Sequence, residues 1–369
     1  MKIAQVAPLH ESVPPRLYGG TERIVSYLTE ELVSQGHDVT LFASADSITS
    51  ARLRPMCDRA LRLNCGALND PLARHMMLLE RVMEEAREFD ILHFHLDYLP
   101  FSLIRRLRIP AITTLHGRLD LPDLAPIFRL FRDMHLISIS DSQRSPMPWA
   151  NWATTVYHGL PESLYRMGDG DGGYMAFLGR ISPEKRIDRA VEICRSLGIP
   201  LRIAAKVDAA DKVYFERNVR DLLQGTDVEF VGEIGEQDKN EFLGRARALL
   251  FPIDWPEPFG LVMIEALACG TPVIAFRGGS VEEVIEDGVT GFIVSSIEEA
   301  CDAVTKLDSI KRPVCRSRFE QRFSAGRMCR EYVRAYRRVI GHSRASLQHP
   351  HQLQQALAGD AISDVFASD

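Results

Sequence analysis

The sequence lacks several features that would place it in other protein classes. It has seven cysteines in 369 residues, and no two of them form a CxxC pair. This scarcity argues against a disulfide framework or a cysteine zinc site and indicates a reducing compartment. No run approaches the roughly 20 apolar residues that a membrane span needs. The first residues predict a buried strand and not a signal peptide, so we expect a cytoplasmic protein.

The chain also lacks a positive net charge and a dinucleotide-binding fingerprint. Its formal charge is −6 at pH 7, which gives no electrostatic case for nucleic acid as the main partner. No GxGxxG pattern follows the first predicted strand, so a nicotinamide-dependent dehydrogenase is disfavoured. The length exceeds the usual size of a single core, which predicts two domains.

Short apolar segments alternate with helical segments along most of the chain. They predict strands at residues 3–7, 39–42, 91–94, 111–115, 136–139, 175–178, 201–205, 228–231, 248–251 and 273–275. This rhythm predicts an α/β fold with two Rossmann-like, doubly wound domains that face each other across a cleft. We place the N-terminal domain at residues 1–165 and the C-terminal domain at 166–325.

Three segments outside the predicted strands complete this organisation. The glycine-rich segment 168–173 is a candidate hinge. A basic amphipathic helix is expected over residues 326–341, and a polar tail over 342–369 is expected to be disordered.

Residues 255–265 place one carboxylate just before a helix and a second within its first turns. Glu257 lies between two prolines that resist helical continuation, whereas Glu265 lies in the apolar helix that follows. Backbone N–H groups at the start of this helix would form an anion site: those of Phe259, Gly260 and Leu261. Two carboxylates beside a phosphate site suit a sugar nucleotide. The alternative is that Glu265 is an ion-paired surface residue.

Other candidate residues lie near the ends of predicted strands or at the start of a helix. Gly19 and Gly20 precede a helix, where paired glycines let a backbone approach phosphate or simply form a turn. Arg180 and Lys185 would bracket a diphosphate and so replace a metal ion. The alternative is that these two basic residues are solvated. Residues 276–280 are expected to be scaffold around the site.

Three further residues are weaker candidates. Ile234 would pack on a nucleobase, Lys239 would reach the nucleotide, and His116 would contact the sugar or the acceptor. Taken singly, a lysine of this kind is more often a surface residue, and a lone histidine is more often structural.

A metal site is not predicted. His93, His95 and Asp97 alternate along one strand as metal ligands do, but no further ligand cluster accompanies them. We interpret them as strand-end residues. The acidic pair Asp169 and Asp171 lies in the candidate hinge and is discounted.

Taken together, these motifs resemble family 4 of the retaining glycosyltransferases, of the bacterial type, which have the two-domain GT-B fold. The resemblance covers about residues 1–340. It implies transfer of a hexosyl group from a UDP- or GDP-linked sugar to an unidentified glycan, lipid-linked or small-molecule acceptor, with retention and without a metal or cofactor. The N-terminal domain would then bind the acceptor and the C-terminal domain the nucleotide sugar, with the final helix crossing back to the N-terminal domain.

The resemblance also implies a role for each candidate residue. Glu257 would hold the transferred sugar and Glu265 the ribose. Arg180 and Lys185 would neutralise the departing diphosphate. The remaining candidates would line the donor, with His116 near the sugar and the acceptor: Gly19, Gly20, Ile234, Lys239, Phe259, Gly260 and Leu261.

Other functions share this architecture. A sugar phosphorylase, a sugar-nucleotide epimerase and a noncatalytic sugar-nucleotide-binding partner of another transferase remain alternatives. The segment 126–132 and the basic final helix could make weak contact with anionic lipid at the inner face of the membrane. Packed helices with a basic outer face are the plainer interpretation of both segments.

Overall fold

The computed structural model describes residues 1–17, 19–63 and 70–348. The chain folds as two compact units. The first comprises residues 1–157 together with the chain from Met328, and the second comprises His158–Arg327. The sequence predicted boundaries at residues 165 and 325.

Seven parallel strands form the sheet of the first unit, in the order β3-β2-β1-β4-β5-β6-β7. They are β1 (Lys2–Val6), β2 (Asp38–Ala43), β3 (Arg52–Pro55), β4 (Ile91–Phe94), β5 (Ala111–Thr114), β6 (Leu136–Ser138) and β7 (Trp152–Thr155). Its helices are α1 (Gly20–Ser34), α2 (Pro71–Glu85), α3 (Phe101–Leu107), α4 (Leu124–Leu130) and α5 (Asp141–Arg144). The sequence did not predict β3 and β7, the two edge strands, because both carry polar residues and neither has a continuous apolar run.

Six parallel strands form the sheet of the second unit, in the order β10-β9-β8-β11-β12-β13. They are β8 (Met175–Arg180), β9 (Leu201–Lys206), β10 (Val228–Gly232), β11 (Ala248–Phe251), β12 (Val273–Phe276) and β13 (Gly291–Val294). Its helices are α6 (Ile187–Leu197), α7 (Lys212–Tyr214), α8 (Glu236–Gly244), α9 (Leu261–Ala268), α10 (Val281–Val284), α11 (Ile297–Thr305) and α12 (Arg312–Arg322). Both units therefore have the predicted doubly wound α/β architecture.

Apolar side chains of the central strands form a separate core in each unit. In the first unit, Phe94 of β4 packs in one cluster with Phe101 and Phe128. In the second, Ile274 of β12 packs in one cluster with Val191 of α6. Burying each such side chain contributes roughly 1.5–3 kcal/mol. Every residue of β4 and β12 is buried, so side chains that meet solvent or a ligand are expected mainly at the ends of such strands.

The glycine-rich segment predicted as a hinge is anchored inside the second unit. The backbone N–H of Gly168 donates to the carbonyl of Cys269 at 3.0 Å. The half-buried guanidinium of Arg312 donates to the carbonyls of Gly168 at 2.9 Å and Gly244 at 2.7 Å. A Cβ added to Gly168 would lie 2.2 Å from the Gly244 oxygen. The prediction of a flexible segment is therefore wrong at this point, because glycine permits close backbone packing here.

The final helix, α13 (Ala325–Gln348), is longer than predicted. Residues 342–348, expected in a disordered tail, are helical, and the rest of that tail lies outside the described residues. The side chains of Tyr332 and Tyr336 are buried in the first unit. Within the described ranges, no helix is both long and apolar enough to cross a bilayer.

Candidate active site

The predicted site residues of the second unit cluster near the carboxyl ends of its strands. Arg180 ends β8, and Lys185 lies in the short 3-10 turn that follows. Glu257 follows β11, and Glu265 lies in the next helix, α9. Because β8 and β11 are adjacent and parallel, these segments leave the sheet at the same edge. That edge is where ligands bind in open α/β sheets.

An ion pair joins Lys185 to Glu257. The ammonium of Lys185 donates to Oε2 of Glu257, which also accepts the indole N–H of Trp255 at 3.0 Å. The ammonium lies 5.0 Å from the centroid of the Trp255 ring, within cation–π range. Glu257 is 9% exposed. Both hydrogen bonds from described residues use Oε2, so Oε1 keeps its capacity to accept a ligand hydroxyl.

The loop that carries Glu257 is held by the segment after β12. The backbone N–H of Ser280 donates to the Glu257 carbonyl at 3.0 Å, and its hydroxyl donates to the Phe259 carbonyl at 2.9 Å. Gly279 has φ +55°, and an added Cβ would lie 2.2 Å from the Glu257 carbonyl oxygen. Only glycine fits there. These contacts agree with the expected scaffold role of residues 276–280.

Helix α9 starts directly after the Glu257 loop. Its N-cap, Gly260, has φ +74°, and an added Cβ would lie 2.8 Å from Cε of Met263. The Phe259 side chain is buried, with its ring edge-on to His158 at a centroid distance of 4.9 Å. Phe259 therefore has only its backbone to offer a ligand. The first backbone N–H groups of a helix, from Leu261 here, have no acceptor within the helix.

Glu265 has one satisfied and one unsatisfied carboxylate oxygen. Oε1 accepts a hydrogen bond from the Lys239 ammonium at 2.7 Å. Oε2 is buried and has no hydrogen-bond partner in the described part of the chain. The side chain is only 2% exposed, so this orphaned acceptor is costly unless a ligand donates to it. The alternative interpretation of Glu265 as a surface residue is therefore wrong, because its side chain is buried. The ion pair that this interpretation included does exist, with Lys239.

Arg180 already has anionic neighbours. It donates to Glu184 at 2.5 Å and lies 3.7 Å from a carboxylate oxygen of Asp208 and 3.6 Å from one of Asp211. Three carboxylates therefore compensate one guanidinium. To neutralise a diphosphate, Arg180 would have to exchange these partners, and its predicted role stays a prediction.

Ile234 lies half-buried in the loop between β10 and α8. No contact of its side chain decides between a base platform and ordinary packing, so this role also stays a prediction. Lys239 lies on α8, where its ammonium is within 3.7 Å of Glu236 as well as bound to Glu265. Lys239 therefore contacts the Glu265 carboxylate directly, through a hydrogen-bonded ion pair.

Gly19 and Gly20 lie in the first unit, at the start of α1. A Cβ added to Gly19 would lie 2.7 Å from Cβ of Pro15 and 3.3 Å from Cγ of Glu11. Packing of the preceding loop therefore requires glycine at position 19, whatever the residue does toward phosphate.

His116 follows β5 in the first unit and contacts another histidine. Its Nε2 lies 2.9 Å from Nδ1 of His95, whose Nε2 in turn lies 2.9 Å from Oε1 of Gln5. Burial lowers the pKa of His116 to about 3, so the ring is neutral at pH 7. His93 hydrogen-bonds the hydroxyls of Tyr336 and Thr114, both at 2.7 Å. His93 and His95 are thus both engaged in side-chain hydrogen bonds.

Sequence reasoning missed three residues at these sites. Trp255 lies in the segment 255–265, and its indole N–H is the feature that indicates a nearby carboxylate. Gln5 is fully buried in β1, and His95, which directly follows β4, is nearly buried. A glutamine inside an otherwise apolar strand such as β1 is itself a sign of a specific buried partner.

Comparison with known proteins decides the family. The model described as Glycosyltransferase Family 4 matches residues 18–157, and the model described as Glycosyl transferases group 1 matches residues 169–315. The chain belongs to the family 4 type of glycosyltransferases. The predicted resemblance is confirmed.

Relatives of this family 4 chain agree in sequence and in fold. It is 30% identical over 245 residues to D-inositol 3-phosphate glycosyltransferase of Mycobacterium tuberculosis, an alignment that covers 58% of this chain and 48% of the relative. The chain thus spans about half the length of the curated relatives it matches. Sucrose-phosphate synthase of Thermosynechococcus elongatus has a TM-score of 0.73 at 20% identity and covers 92% and 99% of the two chains. The HepE protein of Anabaena in complex with UDP-glucose has a TM-score of 0.68 at 18% sequence identity. The match covers 94% of this chain and 100% of the HepE chain. The predicted GT-B fold is confirmed.

Proposed function

We propose that this protein transfers a hexosyl group from a nucleotide-diphosphate sugar to an acceptor, with retention of anomeric configuration and without a metal ion. The observation that carries the proposal is the pair of carboxylates on either side of the α9 N-terminus. Glu257 has an acceptor oxygen left beside its ion pair, and Glu265 has a buried oxygen without a partner. A ligand with hydroxyls at both ends and phosphates between them satisfies both.

In this proposal each end of the donor has its own carboxylate. Glu265 accepts from a ribose hydroxyl through Oε2, while Glu257 accepts from a hydroxyl of the transferred sugar. The diphosphate lies against the first N–H groups of α9, where the helix dipole favours negative charge. Ile234 lies toward the base, as the family pattern implies for that position.

Charge stabilisation supplies the catalysis. As the bond from the sugar to the diphosphate breaks, negative charge grows on the leaving oxygen and positive charge grows on the sugar ring. Lys185 lies next to the growing negative charge, either released from Glu257 or still paired with it. Arg180 also contacts the diphosphate, after it has exchanged its carboxylate partners for phosphate oxygens. A departing phosphate oxygen takes the acceptor proton, which places attack on the face that the leaving group vacates and retains configuration.

The donor is a UDP- or GDP-linked sugar in this proposal. A UDP-glucose complex of the structurally similar HepE protein favours UDP-glucose as the first candidate. The curated relatives act, by their name, on D-inositol 3-phosphate, which makes a phosphorylated polyol a reasonable first acceptor to test.

Donor selection is the first experiment. The protein is incubated separately with UDP-glucose, UDP-galactose, UDP-N-acetylglucosamine, GDP-mannose and ADP-glucose, and thermal stabilisation and release of nucleoside diphosphate are followed. Stabilisation with slow release from one donor supports the transferase. Stabilisation without release under any acceptor points to a noncatalytic binding partner, and sugar release that requires inorganic phosphate points to a phosphorylase. No response to any donor overturns the proposal.

Two finer points have direct tests. The anomeric configuration of the product, read by proton NMR, distinguishes retention from inversion. Activity that persists after treatment with EDTA supports a metal-independent reaction, and complete loss that Mg²⁺ or Mn²⁺ restores contradicts it.

We also propose weak contact with anionic lipid at the inner face of the membrane. The arginine patch of the first unit consists of four exposed residues on α3, α4 and the turns after them, namely Arg106, Arg108, Arg129 and Arg132. None of the four has an ion pair among the described residues, although the protein carries a net charge of −6. Exposed Leu107 and Trp149 border the patch, and the Arg129 guanidinium lies 5.3 Å from the Trp149 ring. Basic and apolar side chains together suit an anionic membrane surface.

Vesicle sedimentation tests this contact. We expect the protein to pellet with vesicles that contain phosphatidylglycerol, not with pure phosphatidylcholine, and we expect Arg129→Glu with Arg132→Glu to abolish pelleting. Arg220→Glu, at an exposed arginine of the second unit that pairs with Glu216, is the matched control. Failure of the wild-type protein to pellet with anionic vesicles removes the proposal.

A further inference from the structure

Trp255 makes two contacts with the ion pair of the candidate site. Its indole N–H donates to Oε2 of Glu257 at 3.0 Å, and its ring centroid lies 5.0 Å from the ammonium of Lys185. A second ring, that of Phe251 at the end of β11, lies 5.7 Å from the same ammonium. Both distances are within the range of a cation–π contact. The ammonium therefore has an aromatic surface beside it as well as a carboxylate.

Backbone hydrogen bonds fix the position of Trp255 without the Lys185 side chain. The backbone N–H of Asp254 donates to the carbonyl of Glu184 at 2.9 Å. On the other side of the indole, the backbone N–H of Glu257 donates to the Trp255 carbonyl at 2.9 Å. These bonds join the loop before Glu257 to the turn that carries Lys185. We therefore expect the indole to stay in place when the ammonium moves.

The two donors to Glu257 differ in how they can respond to a phosphate. Within the described part of the chain, Lys185 and Trp255 supply the side-chain donors to this nearly buried carboxylate. The ammonium is a compact charge on a flexible stem, so it can turn toward a phosphate oxygen, whereas the indole has one neutral N–H on a rigid ring. A phosphate therefore competes for the lysine. Without the indole, a departing ammonium would leave the carboxylate without compensation, which is costly at this degree of burial.

We propose that Trp255 is a positioning residue that keeps the Glu257 carboxylate hydrogen-bonded while the Lys185 ammonium moves from it to a phosphate oxygen of the donor. This inference rests on the proposed function and goes beyond it, because it selects release of Lys185 over continued pairing with Glu257. The indole N–H donates to Oε2 with and without the donor. That bond holds the carboxylate in one orientation and leaves Oε1 to accept from the sugar.

A double-mutant cycle on diphosphate binding tests this exchange. Trp255→Phe keeps an aromatic side chain but removes the indole N–H, and Lys185→Met removes the charge. The probe is UDP, or GDP if the wild-type protein binds that diphosphate instead, and calorimetry gives its Kd.

The cycle separates the complex from the free protein. With Lys185 present, the indole N–H matters most in the complex, because the ammonium still compensates Glu257 in the free protein. We expect Trp255→Phe to raise Kd by about tenfold in this background. In the Lys185→Met background the N–H serves the free protein and the complex equally, so we expect a change of less than about twofold.

Trp152→Phe is the matched control. The Trp152 indole N–H also donates to a buried oxygen-bearing group, the Met147 carbonyl at 2.8 Å, and its ring also faces a cation, the Arg144 guanidinium at 5.6 Å. It lies on β7 in the first unit, and this variant should bind the diphosphate as the wild type does.

Two outcomes of the cycle would overturn the inference. Equal rises in Kd in both Lys185 backgrounds would mean that Trp255 has a purely structural role. No rise with Lys185 present would mean that the lysine stays on Glu257 in the complex. Failure of the wild-type protein to bind any nucleoside diphosphate contradicts the proposed function itself, and the inference falls with it.

Nitrogen NMR of protein labelled with ¹⁵N-tryptophan gives a second test that needs no Lys185 variant. The chain has three tryptophans, and Trp255→Phe identifies the indole signal of Trp255. We expect its N–H to be protected from exchange with water in the free protein and to stay protected at saturating diphosphate. An unprotected N–H in the free protein overturns the inference even if glycosyl transfer is found. Protection that is lost on diphosphate binding overturns it as well.

Discussion

Lys185 and Glu257 form an ion pair across 72 residues of sequence. Lys185 belongs to the turn after β8 and Glu257 to the loop after β11, so the pair links the ends of two adjacent parallel strands. A nearly buried carboxylate beside a lysine is stabilised by that charge, and it also holds the lysine near the place where a diphosphate would bind. In the proposed function, this one contact would both stabilise the buried carboxylate and supply positive charge beside the diphosphate.

Replacing Lys185 should separate these two roles. We expect Lys185→Ala to lower kcat by about 100-fold or more, the scale for losing a charge-stabilising donor, with the fold intact because Trp255 still donates to Glu257. Steady-state kinetics and circular dichroism measure the two effects. Lys212→Ala, at an exposed lysine of α7, is the control. Wild-type turnover in Lys185→Ala would exclude the assigned role.

The orphaned oxygen of Glu265 leads to a prediction about the ribose. A Gln at this position keeps a single carbonyl acceptor, so it cannot serve both Lys239 and a ribose hydroxyl. We expect Glu265→Gln to weaken binding of the selected nucleoside diphosphate by about tenfold. Calorimetry with the diphosphate and its 2′,3′-dideoxy analogue measures this.

The analogue supplies the decisive comparison for Glu265. The wild-type protein should bind the dideoxy compound more weakly, whereas Glu265→Gln should bind both compounds almost equally. Glu241→Gln, on the exposed face of the neighbouring helix α8, should behave as wild type. A variant that still prefers the ribonucleotide by the wild-type factor would place the ribose elsewhere.

Much of this fold follows from patterns that the sequence displays plainly. The predicted strands at residues 91–94 and 248–251 coincide with β4 and β11, because strands buried on both faces are short and predominantly apolar. The helix start at Gly260 was also predictable, because glycine readily takes the positive φ that this residue adopts. Edge strands such as β7 were not predicted, because a strand with one exposed side carries polar residues and lacks a continuous apolar run.

The sequence predicted the class of ligand for the site, but it did not predict which charged residues pair with each other. Two glutamates near a helix start indicated a sugar nucleotide, yet sequence alone could not pair Glu257 with Lys185 or Glu265 with Lys239. Such pairs depend on which strand ends lie side by side. The carboxylates around Arg180 were missed for the same reason, since Asp208 and Asp211 follow β9, the neighbour of β8.

Gly279 makes a steric prediction about the Glu257 loop. The Cβ of alanine would overlap the Glu257 backbone at 2.2–2.3 Å, so the loop must move. We expect Gly279→Ala to lose most activity and to destabilise the protein by more than the roughly 1–2 kcal/mol that a left-handed alanine costs. Gly288→Ala is the matched control, with φ +70° but open space around the added Cβ. Equal losses of unfolding free energy in the two variants would show that backbone strain alone, and not the clash, matters.

His93 predicts how stability depends on pH. Burial lowers its pKa well below the usual 6.5, so the unfolded chain takes up a proton at this residue before the folded chain does. The free energy of unfolding therefore falls as pH drops below about 6.5, by at most about 1.4 kcal/mol per pH unit for one histidine. His93→Asn removes this loss, although it lowers stability at neutral pH by breaking bonds to Tyr336 and Thr114. Urea unfolding at pH 7.5, 6.5 and 5.5 should show the difference in the free energy of unfolding between wild type and variant narrowing as pH falls. A gap that stays constant over this range would mean that His93 takes up its proton equally in the folded and unfolded chains.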